Sequence, residues 1–296
     1  VNGADGKQQA LVVRFRGIGD VLISWFAVEM LTETHDVTYV TSSMAAEVFP
    51  DRWVNVVAYD WEDHPLDCVP ELPAEVMGIP HDRLFNLVNA VDWRLDTPTY
   101  DTVSRAKQFA RLMGVPTSDY LRSIELKEDE RSAAEKLLFN VPRPRVCCQI
   151  DSSAETRHWL HWDRLAYLLE KEGYSVVYTG GNYRESPDYV HNLSGQTQMR
   201  EWLGVLDACQ VIVSPCTSAV HVGARFPNTR VVALYGSTDS RLFTEHYTNV
   251  TAMESYELPC SPCADWQIDT YCYKRGFAPF CLNSLSAEEV FLEVCS

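Results

Sequence analysis

The sequence predicts a parallel α/β protein built in two halves, and three observations predict it. Short runs of β-formers alternate with amphipathic helical patterns along nearly all of the 296 residues. Several of those runs end on glycine, as at Gly17-Ile18-Gly19, Gly180-Gly181 and Gly236. Midway, Asn140-Val141-Pro142-Arg143-Pro144-Arg145 interrupts the alternation with two prolines that suit neither a helix interior nor a central strand. The length itself fits two domains, each large enough to bury a core.

In the first half, Leu11–Arg16 reads as a strand. From Asp20 the apolar positions Val21, Leu22, Trp25, Val28, Met30 and Leu31 take helical spacing. Asp36–Ser42, Val54–Asp60 and Leu84–Val91 read as further strands, and Tyr100–Met113 as a helix closed by Gly114 and Pro116. A charged helix over Lys127–Phe139 leads into the proline stretch, and Lys127–Lys136 reads as a solvated face. The alternation then restarts with strand Val146–Ile150, helix Trp162–Glu172 and strand Tyr174–Thr179. Helix Met199–Ala208, strand Val211–Ser214, helix Thr217–Arg225 and strand Arg230–Tyr235 complete it. The expected domains cover 10–140 and 146–284, with a C-terminal helix over 285–296 that crosses back to the first. A ligand is expected in a cleft between them, outside the carboxyl ends of the strands.

Charge narrows the partners. Lys plus Arg number 25 against 41 for Asp plus Glu, a net charge of −16, so wholesale coating of nucleic acid is disfavoured. No apolar run reaches the roughly 18–20 residues of a membrane span. The polar start, Val1 to Gln9, offers no signal-peptide core, so a cytoplasmic protein is expected, and nothing in the sequence demands more than a monomer.

Three loops carry polar residues where strands give way to helices. In Arg14-Phe15-Arg16-Gly17-Ile18-Gly19-Asp20 the glycines Gly17 and Gly19 let backbone approach a ligand closely. Asp20 has two readings on spacing alone: a first-turn acid matched to the helix dipole, or a general base. In Asp151-Ser152-Ser153-Ala154-Glu155-Thr156-Arg157-His158-Trp159, hydroxyls followed by a cation suit a diphosphate cradle or an ordinary polar loop. Ser214-Pro215-Cys216-Thr217-Ser218-Ala219-Val220-His221 and Tyr235-Gly236-Ser237-Thr238-Asp239 repeat the pattern. His221 alone reads as a packed helix residue. Cys260, Cys263, Cys272 and Cys281 fit a closed structural Zn site, disulfides or free thiols, and Cys147, Cys148 and Cys209 read as core thiols. Trp159, Trp162 and Trp202 read as core; Trp25 and Trp61 are candidates for the cleft.

The run VVRFRGIGDVLISWFAVEML resembles the N-terminal motif of the heptosyltransferase-like glycosyltransferases, family 9. LSGQTQMREWLGVLDACQVIVSPCTSAVHVGARFPNTRVVALYGSTD resembles that family's second-half signature, and Ser-Ser-x-x-x-Arg-His-Trp its phosphate loop. The resemblance implies a GT-B fold: two Rossmann-like domains facing a central cleft, with a nucleotide-diphosphate sugar donor held mainly by the second. It implies inverting transfer without a catalytic metal, and Asp20 as the base that deprotonates a hydroxyl acceptor. Ser152, Ser153 and Arg157 would hold the diphosphate, and Thr217, Ser218 and His221 would line the donor pocket. A bacterial surface glycan is the expected acceptor. A modified base in phage-type DNA, or a binding protein without catalysis, are the alternatives. Cys216, Ser218 and Ser237 depart from the family's usual residues, which leaves the sugar open.

Overall fold

A computed structural model describes residues 6–15, 17–61, 71–88, 103–255, 258, 261–262 and 279–296. The chain forms two compact units, Val1–Glu125 and Leu126–Ser296.

The first unit holds a four-stranded parallel sheet in the order β3-β2-β1-β4. Its strands are β1 (Gln8–Val13), β2 (His35–Thr41), β3 (Asn55–Ala58) and β4 (Arg83–Asn86). Helix α1 (Ile18–Leu31) is buried along most of its length, so its sequence is apolar nearly all round rather than striped. It packs on α4 (Arg105–Met113); α2 (Ser43–Ala46) and α3 (Ala74–Met77) are single turns. Trp25, a candidate for the cleft, instead lies in the core, 4.9 Å from the Trp53 ring and 5.0 Å from Phe49. Trp61 packs edge-on against Phe15 at 5.1 Å. The sequence ran strand β4 on to Val91, but the ladder with β1 ends at Asn86, and 89–102 lie outside the described residues.

The second unit holds a six-stranded parallel sheet in the order β10-β9-β8-β5-β6-β7. Five of these strands are β5 (Arg145–Gln149), β6 (Ser175–Thr179), β8 (Val211–Pro215), β9 (Arg230–Tyr235) and β10 (Val250–Glu254); β7 is the two-residue His191–Asn192. Helices α6 (Trp162–Lys171), α7 (Met199–Asp207) and α8 (Ser218–Gly223) follow β5, β7 and β8, supplying the crossover connections that parallel strands require. Strand β10 has no counterpart in the sequence reading: Val250–Glu254 is short, half-buried and lacks strong alternation. Cys147, Cys148 and Cys209 are buried as expected, and burial pushes the Cys148 thiol well above its ordinary range.

The unit begins ahead of the proline stretch because α5 (Glu128–Leu137) packs on α7. A Cβ at Gly204 would stand 2.8 Å from that of Ala134, so the two helices meet almost backbone to backbone. Glu130 accepts from Arg200 at 2.7 and 2.5 Å, and Arg131 pairs with Asp207. The charged segment Lys127–Lys136 thus has an inner face as well as a solvated one. The C-terminal helix Ala287–Cys295 starts on a Ser286–Glu289 capping box and puts Ala287, Val290 and Val294 into the core beside α6 and β9. That packing occupies the apolar face of the segment expected to cross back.

Candidate functional site

Both sheets change direction at their first strand. In the first unit the chain lays β2 and β3 on one side of β1 and then places β4 on the other. In the second, β6 and β7 lie on one side of β5, and β8 to β10 on the other. Beyond the carboxyl ends of such neighbouring strands the loops part, which is where open α/β sheets bind ligands.

At the β1/β4 point the chain places Asp20. Arg14, just past β1, donates through Nη1 to the carbonyls of Leu87 and Val88 past β4, both at 2.9 Å. Its Nη2 donates to Asp20 Oδ2 at 2.6 Å. Arg105, from the first turn of α4, donates to Asp20 Oδ1 at 3.1 Å. The α1 N-cap is Gly17, which has no side chain to cap the helix, and the Asp20 oxygens are engaged by the two guanidiniums. Gly17 adopts φ +80, and a Cβ there would lie 3.1 Å from Asp20 Oδ2. The glycine is therefore required by both backbone and carboxylate. Gly19 lies inside the first turn of α1. Beneath Asp20, the hydroxyls of Ser24 and Tyr39 meet at 2.8 Å, and burial pushes the Tyr39 phenol far up.

At the β5/β8 point, Arg157 closes a short 3-10 turn, Glu155–Arg157, that follows Ser152 and Ser153. Its Nη1 donates to the carbonyl of Cys216, past β8, at 2.9 Å, and the side chain is buried. Ser237, past β9, donates to the carbonyl of Thr156 at 3.2 Å. One turn thus ties together the loops that follow β5, β8 and β9. Asp151 fixes the near side: Oδ1 accepts from the Ser152 amide at 2.8 Å, and Oδ2 from the Asn182 amide and side chain at 3.1 and 2.9 Å. A Cβ at Gly180 would stand 2.7 Å from that of Asp151, so only glycine allows this approach. Ser152 is half-buried and Ser153 exposed.

Thr217 caps α8, accepting from the Ala219 amide at 3.2 Å, and its hydroxyl also meets Ser214 Oγ at 2.9 Å. Thr217 and Ser218 are half-buried at the loop surface. His221 lies one turn on and deeper, buried, with Nδ1 3.0 Å from the Tyr247 hydroxyl. Burial raises the Tyr247 phenol, partly offset by Arg225, to about 12. The structure therefore brings Arg157 to the Cys216–Thr217 peptide and sets His221 in an inner layer with Tyr247. Burial would raise Asp239, but the Arg241 side chain and amide bring it below the usual carboxylate range.

Of the cysteine cluster, Cys260, Cys263 and Cys272 lie outside the described residues. Cys281 is buried, and its Sγ is 3.0 Å from where a Cβ on Gly236 would sit. Among the described residues no three His, Cys, Asp or Glu side chains gather to hold a metal ion. No helix of the described residues is long and apolar enough to cross a membrane.

Sequence reasoning missed Arg105 and Asp151 as parts of these sites and left Arg14 without a role. The local signal for Arg105 is a cation in the first turn of a helix, where the dipole disfavours it.

Residues 83–274 match the family model of glycosyltransferase family 9 (heptosyltransferase), and the chain belongs to that family. It is 28% identical over 189 residues to lipopolysaccharide heptosyltransferase 2 of Escherichia coli strain K12, a match covering 54% of each chain. The chain thus spans about half the length of the curated relatives it matches. Among solved structures, a family 9 glycosyl transferase from Veillonella parvula superposes with a TM-score of 0.73 at 16% identity, covering 97% of this chain and 96% of that one. The ADP-heptose lipopolysaccharide heptosyltransferase II of E. coli gives 0.69 at 16% identity, covering 97% of each. These likenesses show the fold, that of the GT-B heptosyltransferases.

Proposed function

We propose that this chain is an inverting, metal-independent glycosyltransferase that moves a heptose from a nucleoside-diphosphate donor to a hydroxyl of a bacterial surface glycan. The observation that carries the reading is Asp20, a carboxylate gripped by Arg14 and Arg105 at the switch point of the first sheet. The names of the relatives suggest ADP-heptose as the first donor and lipopolysaccharide as the first acceptor to try.

In this reading Asp20 takes the proton of the acceptor hydroxyl as its oxygen attacks the anomeric carbon. The bond from that carbon to the diphosphate oxygen breaks, and the nucleoside diphosphate leaves with the electron pair. Attack opposite the leaving group inverts the centre. Ser152, Ser153 and Arg157 stabilise the departing diphosphate, with Thr217 and Ser218 at the neighbouring loop. His221 supports that loop from beneath through Tyr247. Asp20 and these donors belong to different units, so the reading places acceptor activation in the first and donor binding in the second.

Calorimetry with ADP, UDP, GDP, CDP and their sugar conjugates tests the donor half. Binding that depends on both base and diphosphate is expected. No binding across the panel would sink the reading as an autonomous activity.

A further inference from the structure

We propose that Arg105 is a positioning residue for sugar transfer, holding the Asp20 carboxylate in the orientation in which it meets the acceptor hydroxyl. This rests on the reading of Asp20 as the base. Among the described residues of the first unit Arg105 is the most buried charged one, 1% exposed, and its Nη1 lies 3.1 Å from Asp20 Oδ1. Two costs oppose an arginine at this place. Burial strips water from the guanidinium, and the first turn of α4 presents the positive end of a helix dipole to it. The Asp20 carboxylate is an opposite charge set against both costs.

The geometry assigns the two arginines different oxygens. Arg14 holds Oδ2 and is itself fixed by the carbonyls of Leu87 and Val88, so it anchors the carboxylate to the strand ends. Arg105 holds Oδ1 from another element, so the two arginines grip both oxygens and resist rotation of the carboxylate plane. Because α4 packs along α1, Arg105 also makes the orientation of the base depend on how those helices sit together. Misplacing a reacting group by about 1 Å costs on the order of a hundredfold in rate.

The test compares wild type, Asp20→Asn, Arg105→Gln and the double variant, following ADP release from ADP-heptose with heptose-deficient lipopolysaccharide as acceptor, and ADP binding by calorimetry. Arg105→Gln is expected to lower kcat by about a hundredfold with ADP affinity unchanged, and to cost nothing further on the Asp20→Asn background. Wild-type kcat in Arg105→Gln would overturn the proposal, as would the same loss on both backgrounds. Full activity in Asp20→Asn would instead strike the reading of Asp20, a separate failure. Crystal structures of Arg105→Gln, or Arg105→Lys where the glutamine variant does not fold, give a readout independent of turnover. A carboxylate rotated off its wild-type plane is expected; one unmoved and held by Arg14 alone would overturn the assignment.

Discussion

Arg157 donates to the carbonyl of Cys216 at 2.9 Å, joining the loop beyond β5 to the loop beyond β8 through one buried guanidinium. The first unit repeats the device, with Arg14 reaching from the end of β1 to the carbonyls beyond β4. In each sheet the arginine spans the place where strand order reverses and the loops would otherwise separate. A guanidinium suits this use because its rigid fork of donors can hold a carbonyl with one arm and leave another for a second partner.

Arg157→Ala is therefore expected to do two things. It leaves the Cys216 carbonyl without a buried charged donor, costing about 1.5–3 kcal/mol of stability. It also weakens ADP binding. Lysine, a point charge without the fork, restores neither in full. Thermal melting and calorimetry separate the effects; unchanged ADP affinity in Arg157→Ala would remove it from the diphosphate site while leaving its tie to Cys216 intact.

Asp20→Asn keeps the size of the side chain but removes its capacity to take a proton. Transfer is expected to fall by about 10²–10⁴ with donor binding nearly unchanged. Measured as initial rates beside an ADP titration, equal activity in the variant would exclude Asp20 as the base.

Gly17→Ala asks a different question of the same loop. Holding an L-residue at φ +80 costs about 1–2 kcal/mol, and the new methyl would press on Asp20 Oδ2 from 3.1 Å. The expected result is a lower melting temperature together with a fall in kcat larger than the folded fraction explains. A variant that loses stability alone would show that the loop tolerates the methyl without moving the carboxylate.

Local chemistry made much of this legible. Strand β9 falls on the same residues that its apolar run marks, Arg230–Tyr235, and α6 and α7 start where expected, at Trp162 and Met199. Those signals lie within a few residues of one another, and so does the strand-to-helix turn that carries Gly17 and Asp20. Arg105 was illegible because its partner lies 85 residues away and only the packing of α4 on α1 brings them together. Asp151 was legible as a loop acid but not as a strut, since its partner Asn182 follows a different strand. The inner face of α5 was hidden for a related reason. Its sequence is mostly charged, and its burial comes from ion pairs and one alanine rather than from an apolar stripe.

That face of α5 carries a pH dependence. The side-chain hydrogen bond from Arg200 is the largest influence on Glu130, and it draws the carboxyl below its ordinary value of 4.5 against the opposing effect of burial. A carboxyl more acidic in the folded chain than in the unfolded one binds its proton later as pH falls. Its contribution to stability is complete above about pH 4.5 and is lost as pH drops through the lower folded value. Glu130→Gln should therefore destabilise the chain near neutral pH and cost progressively less on acidification, so the melting curves of variant and wild type converge as pH falls through the lowered folded value. Because Arg200 and Glu130 are each about one-fifth exposed, the Arg200→Gln variant should show the same convergence from the other partner. A constant gap in melting temperature across the acid range would mean that ionisation of Glu130 contributes nothing to stability, leaving the Arg131–Asp207 pair and the Gly204–Ala134 approach to hold α5 on α7.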